Sequence, residues 1–203
     1  MREILKKKKT LICAIALVIG IFGTTATFAV IKATTNAVTN TFEAGDVKTR
    51  IDEDVDPTVK KNSTVKKTPK ITNEGKSDAF VRARITISPE KTDVTLLAGT
   101  WNGKNFTKTS EALKGNENDL FDADGDGYGW YLAADGWYYY NTPIAKEEST
   151  ETLFDAVKVG DVDKNFDITI YQEAVYSGGY NAGEKVDLNI IKAAFDAVNA
   201  SSN

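Results

Sequence analysis

Asp78-Ala79-Phe80-Val81-Arg82-Ala83-Arg84-Ile85-Thr86-Ile87-Ser88 alternates with a period of two along its whole length. Ala79, Val81, Ala83, Ile85 and Ile87 fall on one side of an extended chain; Phe80, Arg82, Arg84 and Thr86 fall on the other. A strand with one apolar and one mixed face belongs in an antiparallel sheet that packs one side on a core. The mixed face is expected to look outward, with both arginines paired to carboxylates on a neighbouring strand.

The same period recurs along the chain. Val47, Thr49 and Ile51 alternate with Asp46, Lys48 and Arg50, and Phe166, Ile168 and Ile170 with Asp167, Thr169 and Tyr171. Leu153-Phe154-Asp155-Ala156-Val157-Lys158-Val159 reads as one more strand. Trp130-Tyr131-Leu132 and Trp137-Tyr138-Tyr139-Tyr140 flank Asp135-Gly136, a pair that favours a type I′ hairpin turn. Alternation in that hairpin buries every second ring, so some tyrosines are expected outside, where they would form a carbohydrate-stacking platform. The plainer reading packs one face in the core and the other beneath a loop.

Two stretches are patterned poorly. Residues 54–76 carry Lys60, Lys61, Lys66, Lys67, Lys70 and Lys76 with Pro57 and Pro69. They are expected to form a solvated loop with an extended re-entry into the sheet; a basic patch on anionic wall polymers is the second reading. Residues 89–120 predict only a loop with a short strand over 94–97. At the C-terminus Leu188, Ile191, Ala194, Phe195 and Val198 share one helical stripe behind Asp187, a suitable N-cap, which predicts a helix over 187–199. The expectation for residues 41–203 is an antiparallel β-sandwich, all-β apart from that helix.

Residues 1–26 have the grammar of a secretory signal peptide: Arg2 and Lys6 to Lys9, an uncharged helix-forming run over 11–22, then Gly23-Thr24-Thr25-Ala26. An uncleaved anchor is the alternative, because residues 11–31 stay uncharged over a span-sized length. Removing 1–26 leaves 177 of 203 residues and moves the net charge from −4 to −8, since five cations and one acid leave with the segment. An acidic chain of this kind is a poor partner for nucleic acid or anionic lipid. The membrane is expected to be touched only through the uncleaved signal segment. Cys13 is the sole cysteine and lies inside the signal, so no disulfide is expected in the exported part. The chain has no histidine, which removes imidazole-based nucleophile activation and zinc sites built on imidazole.

Phe121-Asp122-Ala123-Asp124-Gly125-Asp126-Gly127 places carboxylates at alternate positions, the opening of a calcium loop. Asp122, Asp124 and Asp126 are therefore the candidate calcium ligands. An EF-hand also needs a bidentate acid at position twelve, which here is Ala133, and flanking helices, of which there is no sign. A solvated acidic hairpin tip is the alternative.

Several motifs, in their order, resemble the camelysin/TasA family. They are Gly23-Thr24-Thr25-Ala26, Asn40-Thr41-Phe42 with Gly45 and Val47, Lys67 with Pro69, Ile71, Thr72, Asn73 and Gly75, and residues 79–85. Gly136-Trp137-Tyr138-Tyr139-Tyr140, Thr152-Leu153-Phe154 with Val157, and residues 166–170 with Glu173 and Ala174 complete the series. The resemblance implies a bacterial protein exported under a SipW-type signal peptidase and cleaved between Ala26 and Thr27. It implies a jelly-roll-like β-sandwich of the cell surface or biofilm matrix, with fibre-forming relatives. Cleavage would free an N-terminal extended segment, residues 27–40, whose Phe28, Val30 and Ile31 are the candidate assembly contacts. The expected function is structural and secreted, without enzymatic activity, with self-association or matrix proteins as partners. A camelysin-like metallopeptidase and a carbohydrate-binding adhesin with a calcium-ordered loop are the alternatives.

Overall fold

β4 (Ala79–Ser88) and β11 (Asp167–Tyr176) pair antiparallel across ten residues, from Ala79 opposite Tyr176 to Ser88 opposite Asp167. They begin a five-stranded sheet of order β11-β4-β9-β8-β7, completed by β9 (Tyr138–Tyr140), β8 (Trp130–Leu132) and β7 (Leu120–Phe121). A four-stranded sheet has the order β2-β10-β5-β6, from β2 (Ser63–Lys66), β10 (Ala156–Val159), β5 (Val94–Asn102) and β6 (Asn105–Glu111). β1 (Thr49–Asp52) and β3 (Lys70–Asn73) form a separate antiparallel ribbon. The computed structural model describes residues 47–54, 60–162 and 165–201. The expected signal peptide, the Ala26–Thr27 boundary and the segment holding Phe28, Val30 and Ile31 lie outside the described residues.

The layers share one core. Val81 and Ala83 of β4, Trp130 of β8, Tyr140 of β9 and Ile170 of β11 meet Val65 of β2, Ala98 of β5 and Val157 and Val159 of β10. Side chains from two sheets interdigitating in one apolar layer make an antiparallel β-sandwich. Of the inward series of the opening strand, Ala79, Val81 and Ala83 are fully buried, as the period predicts, and Ile85 and Ile87 are half-buried.

The outward series is covered over its first half, which corrects the expectation there: Phe80 and Arg82 are buried, whereas Arg84 is half-buried and Thr86 exposed. Helix α1 (Leu188–Ser201) lies against that face, so Phe80 is 1% exposed and Arg82 7%. Leu188, Ile191 and Phe195 of α1 and Val186 before it pack with Phe80, Tyr139 and Val175 in a second cluster. Each large apolar side chain so buried contributes roughly 1.5–3 kcal/mol. Asp187 caps α1 as expected, its carboxylate accepting the Asn189 N–H at 2.8 Å. Val198, expected on the packed stripe, is 37% exposed.

In the lysine-rich stretch the extended re-entry after Pro69 forms as β3, as expected, but a second strand, β2, replaces part of the expected loop. Both strands form because Val65 and Ile71 alternate into the core and Pro69 offers its carbonyl to Leu153. The lysines of this stretch are not a uniform patch: Lys66 pairs with Asp54 at 2.6 Å, and Lys67 bonds Glu53. Residues 94–111 form a long hairpin rather than a short strand. Gly103, φ +62°, opens its two-residue loop where only glycine is unstrained.

The β8–β9 hairpin forms, with a different turn. Gly136 alone has positive φ, +78°, and its N–H bonds the Ala133 carbonyl at 3.1 Å. That is a type I turn followed by a left-handed glycine, not type I′. Asp135 stays right-handed while its carboxylate accepts the Trp137 N–H at 3.0 Å and the Tyr139 hydroxyl at 2.8 Å.

Candidate functional site

The β7–β8 connection brings Asp122, Asp124 and Asp126 together, each offering a carboxylate oxygen within 4.8 Å of the others. Main-chain groups shape the loop. Asp122 accepts the N–H of Gly125 at 2.6 Å and of Gly127 at 2.7 Å; Asp126 accepts that of Tyr128 at 2.8 Å. Burial would raise the Asp122 carboxyl, but the Gly125 and Gly127 N–H groups outweigh it and hold the group below the usual carboxylate range. Gly125 and Gly127 have φ of +84° and +86°, so glycine is required at both bends. The flanking elements are strands and Ala133 sits in the hairpin, which confirms that this is not an EF-hand.

Three residues with no sequence signal complete the surroundings. Lys185 donates to the Asp126 carbonyl at 2.9 Å and lies 4.5 Å over the Tyr128 ring, placing one cation beside three acids. Asn141 holds the strand entry, accepting the Gly129 N–H and donating to the Gly127 carbonyl. Glu151 lies close enough to feel all three aspartates. Burial first, then Asp124, Asp126, Asp122 and Asp155, push its carboxyl up to about 7. Tyr128, Tyr140, Thr142, Glu148, Ser149 and Glu151 line a cleft of about 240 Å³ next to the loop. The donor set is hard oxygen throughout, the chemistry calcium selects.

The aromatic hairpin offers no platform. Trp130, Tyr139 and Tyr140 are buried, and Tyr131, Trp137 and Tyr138 are partly covered, so the expectation of exposed tyrosines there fails. α1 covers one face of the hairpin and the sandwich core the other. Trp137 is occupied by the guanidiniums of Arg82 and Arg84, 4.3 and 4.6 Å from its ring.

The two arginines divide. Arg82 faces Glu173 across the ladder and donates to it at 2.8 and 2.5 Å, as expected. It also donates to the Tyr139 hydroxyl at 3.0 Å and lies 4.5 Å from the Phe195 ring. Arg84 faces Tyr171 and donates instead to the carbonyls of Asp135 and Gly136. Lys192 of α1 reaches Asp135 at 3.2 Å, tying the helix to the hairpin.

β11 is an edge, and no strand among the described residues pairs with its outer side. The other edges of the two large sheets are blunted. β7 has two residues, β2 has four and ends in Lys66, and β6 carries Lys108 opposite a register break between Ala98 and Gly99. β11 has ten residues, no lysine, no proline and an unbroken register. Among the described residues no helix is long and apolar enough to cross a membrane. Comparison with protein-family models, with curated proteins and with solved structures yields no match.

Proposed function

We propose that the chain is an exported structural protein of a bacterial cell surface or biofilm matrix, of the camelysin/TasA kind, that assembles into fibres by strand addition. The observation that carries the reading is the outer edge of β11, a ten-residue strand without lysine, proline or register break and with no strand paired to that side among the described residues. Its occupant is the N-terminal segment of a second copy, freed by a SipW-type signal peptidase acting between Ala26 and Thr27. That segment is apolar and β-prone at Phe28, Val30 and Ile31. Head-to-tail addition of this sort does not close, so it generates filaments. No imidazole exists for a zinc-peptidase site, and the buried hairpin rings argue against an adhesin. Negative-stain microscopy of the mature protein tests the reading: filaments are expected, and a chain that stays monomeric at high concentration overturns it.

A second reading concerns the loop alone. The converged oxygens of Asp122, Asp124 and Asp126 favour calcium as a stabiliser of the β7–β8 connection, a structural rather than catalytic role.

A further inference from the structure

The cleft of about 240 Å³ beside the acidic loop is lined by two acids, exposed Glu148 and half-buried Glu151, and by the apolar Pro143, Ile144 and Ala145. Neither acid is paired with a cation among the described residues. The Glu151 carboxyl has Asp122, Asp124, Asp126 and Asp155 around it instead. Lys185 does not line the cleft; its ammonium is engaged by the Asp126 carbonyl and the Tyr128 ring. A carboxylate half withdrawn from water without a counter-charge is costly. A second, independent need sits beside it. Tyr140, 6% exposed, also lines the cleft, and its hydroxyl accepts the Glu151 N–H at 3.4 Å. Among the described residues nothing accepts the proton of that hydroxyl, although buried phenols normally find such a partner.

We propose that this cleft binds the free amino terminus of a peptide, its α-ammonium held by Glu151 and Glu148 and its first carbonyl accepting the Tyr140 hydroxyl. The inference stands apart from the strand addition proposed above. The two needs, a cation and an acceptor oxygen, arise at residues joined by one hydrogen bond. An amino terminus carries its ammonium and its first carbonyl on the same carbon, so one group meets both, with charge-assisted bonds on the carboxylate side. Pro143, Ile144 and Ala145 offer an apolar wall to the first side chain. The volume lies below the roughly 300–1,000 Å³ of sites for drug-sized molecules, which suits a terminal residue. Rival cations meet only part of the demand. A bare metal ion brings no acceptor for the Tyr140 proton. A free amino acid brings a carboxylate, which Glu148, Glu151 and the aspartates of the loop repel.

Calorimetric titration of the purified protein with alaninamide tests the assignment. The comparison ligands are N-acetylalaninamide, which lacks the charge, alanine, which adds a carboxylate, and glucosamine, which sets an ammonium beside hydroxyls. Alaninamide is expected to bind with a Kd of about 1 mM, in keeping with its few atoms, and the other three about tenfold more weakly or not at all. Glu151→Gln should weaken alaninamide about tenfold, and Tyr140→Phe, which keeps the ring, about threefold. Wild-type protein that does not bind alaninamide overturns the proposal, and so does equal binding of N-acetylalaninamide. Glucosamine bound as tightly as alaninamide overturns the choice of an amino terminus. Binding that survives Glu151→Gln but is lost in Asp124→Asn places the ammonium on the acidic loop and overturns the cleft as its site.

Discussion

Glu151 carries a carboxyl raised to about 7 by burial and by the acidic loop. A folded-state value above the unfolded one means that the protonated form is favoured in the fold. Its contribution is fully present below the unfolded value, near 4.5, and is lost as pH rises toward 7. Thermal stability is therefore expected to fall between about pH 4.5 and 7 through this group, and Glu151→Gln should flatten that part of the profile and raise the melting temperature at pH 8. A profile unchanged by the substitution would place the titration elsewhere. The candidate calcium loop, Asp122, Asp124 and Asp126, belongs to the same neighbourhood. If calcium binds only the native loop, a hundredfold excess over Kd adds roughly 2.7 kcal/mol, and Asp124→Asn should abolish the shift. A wild-type melting temperature indifferent to millimolar calcium leaves the loop an acidic hairpin tip. Arg82 makes a different claim on stability. It is buried between Trp137 and Phe195 and bonded to Glu173 and Tyr139, so Arg82→Met should cost about 2–4 kcal/mol in chemical denaturation. Arg82→Lys is expected to recover little, lacking the planar fork that serves both partners.

At the scale of the element, β4, β11, the aromatic hairpin and the helix stripe were legible because period and capping are local signals. What the period cannot say is how many faces are covered. Phe80 and Arg82 read as outward because the helix that buries them is more than a hundred residues away in sequence. The β5–β6 hairpin was missed because β6 is polar on both faces and places only Phe106 and Glu111 under partial cover. The lysines around β2 hid that short strand, since their charges are met by carboxylates invisible until the chain folds. The acidic loop was read from its spacing, but Glu151 and Lys185 reach it through tertiary packing alone. The β11 edge was equally unreadable, since strand order is a property of the whole sheet. That edge makes its own prediction. Thr169 and Tyr171 lie on the face of β11 away from the core, so lysine there should leave the fold intact. Thr169→Lys with Tyr171→Lys supplies the edge protection the other strands already have and should abolish filaments while sparing circular dichroism. Filaments persisting in that variant would move the junction off β11.

For the molecule as a whole, the proposed junction joins two properties of the chain that neither shows alone. Removing residues 1–26 leaves net charge −8, which disfavours nonspecific association between copies, so a fibre requires directional bonds at a defined place. In the proposed junction the β11 edge would be the acceptor and residues 27–33, Thr-Phe-Ala-Val-Ile-Lys-Ala, the β-prone donor. Under the proposed processing, the donor would first continue an uncharged run and would afterwards end in a free amine, available to a neighbour. Signal cleavage would thus act as the assembly switch, keeping the donor from its acceptor until the chain is outside the cell. The discriminating comparison is protein beginning at Thr27 against protein beginning at Thr34, each followed by light scattering and negative-stain microscopy. The first is expected to form filaments. The second should stay monomeric with an unchanged melting temperature. Adding a synthetic peptide of residues 27–33 to the shorter protein should cap β11 without polymerising it, and should likewise stop growth of filaments of the longer form. Identical filaments from both proteins, or monomers from both, would show that the segment is not the connector.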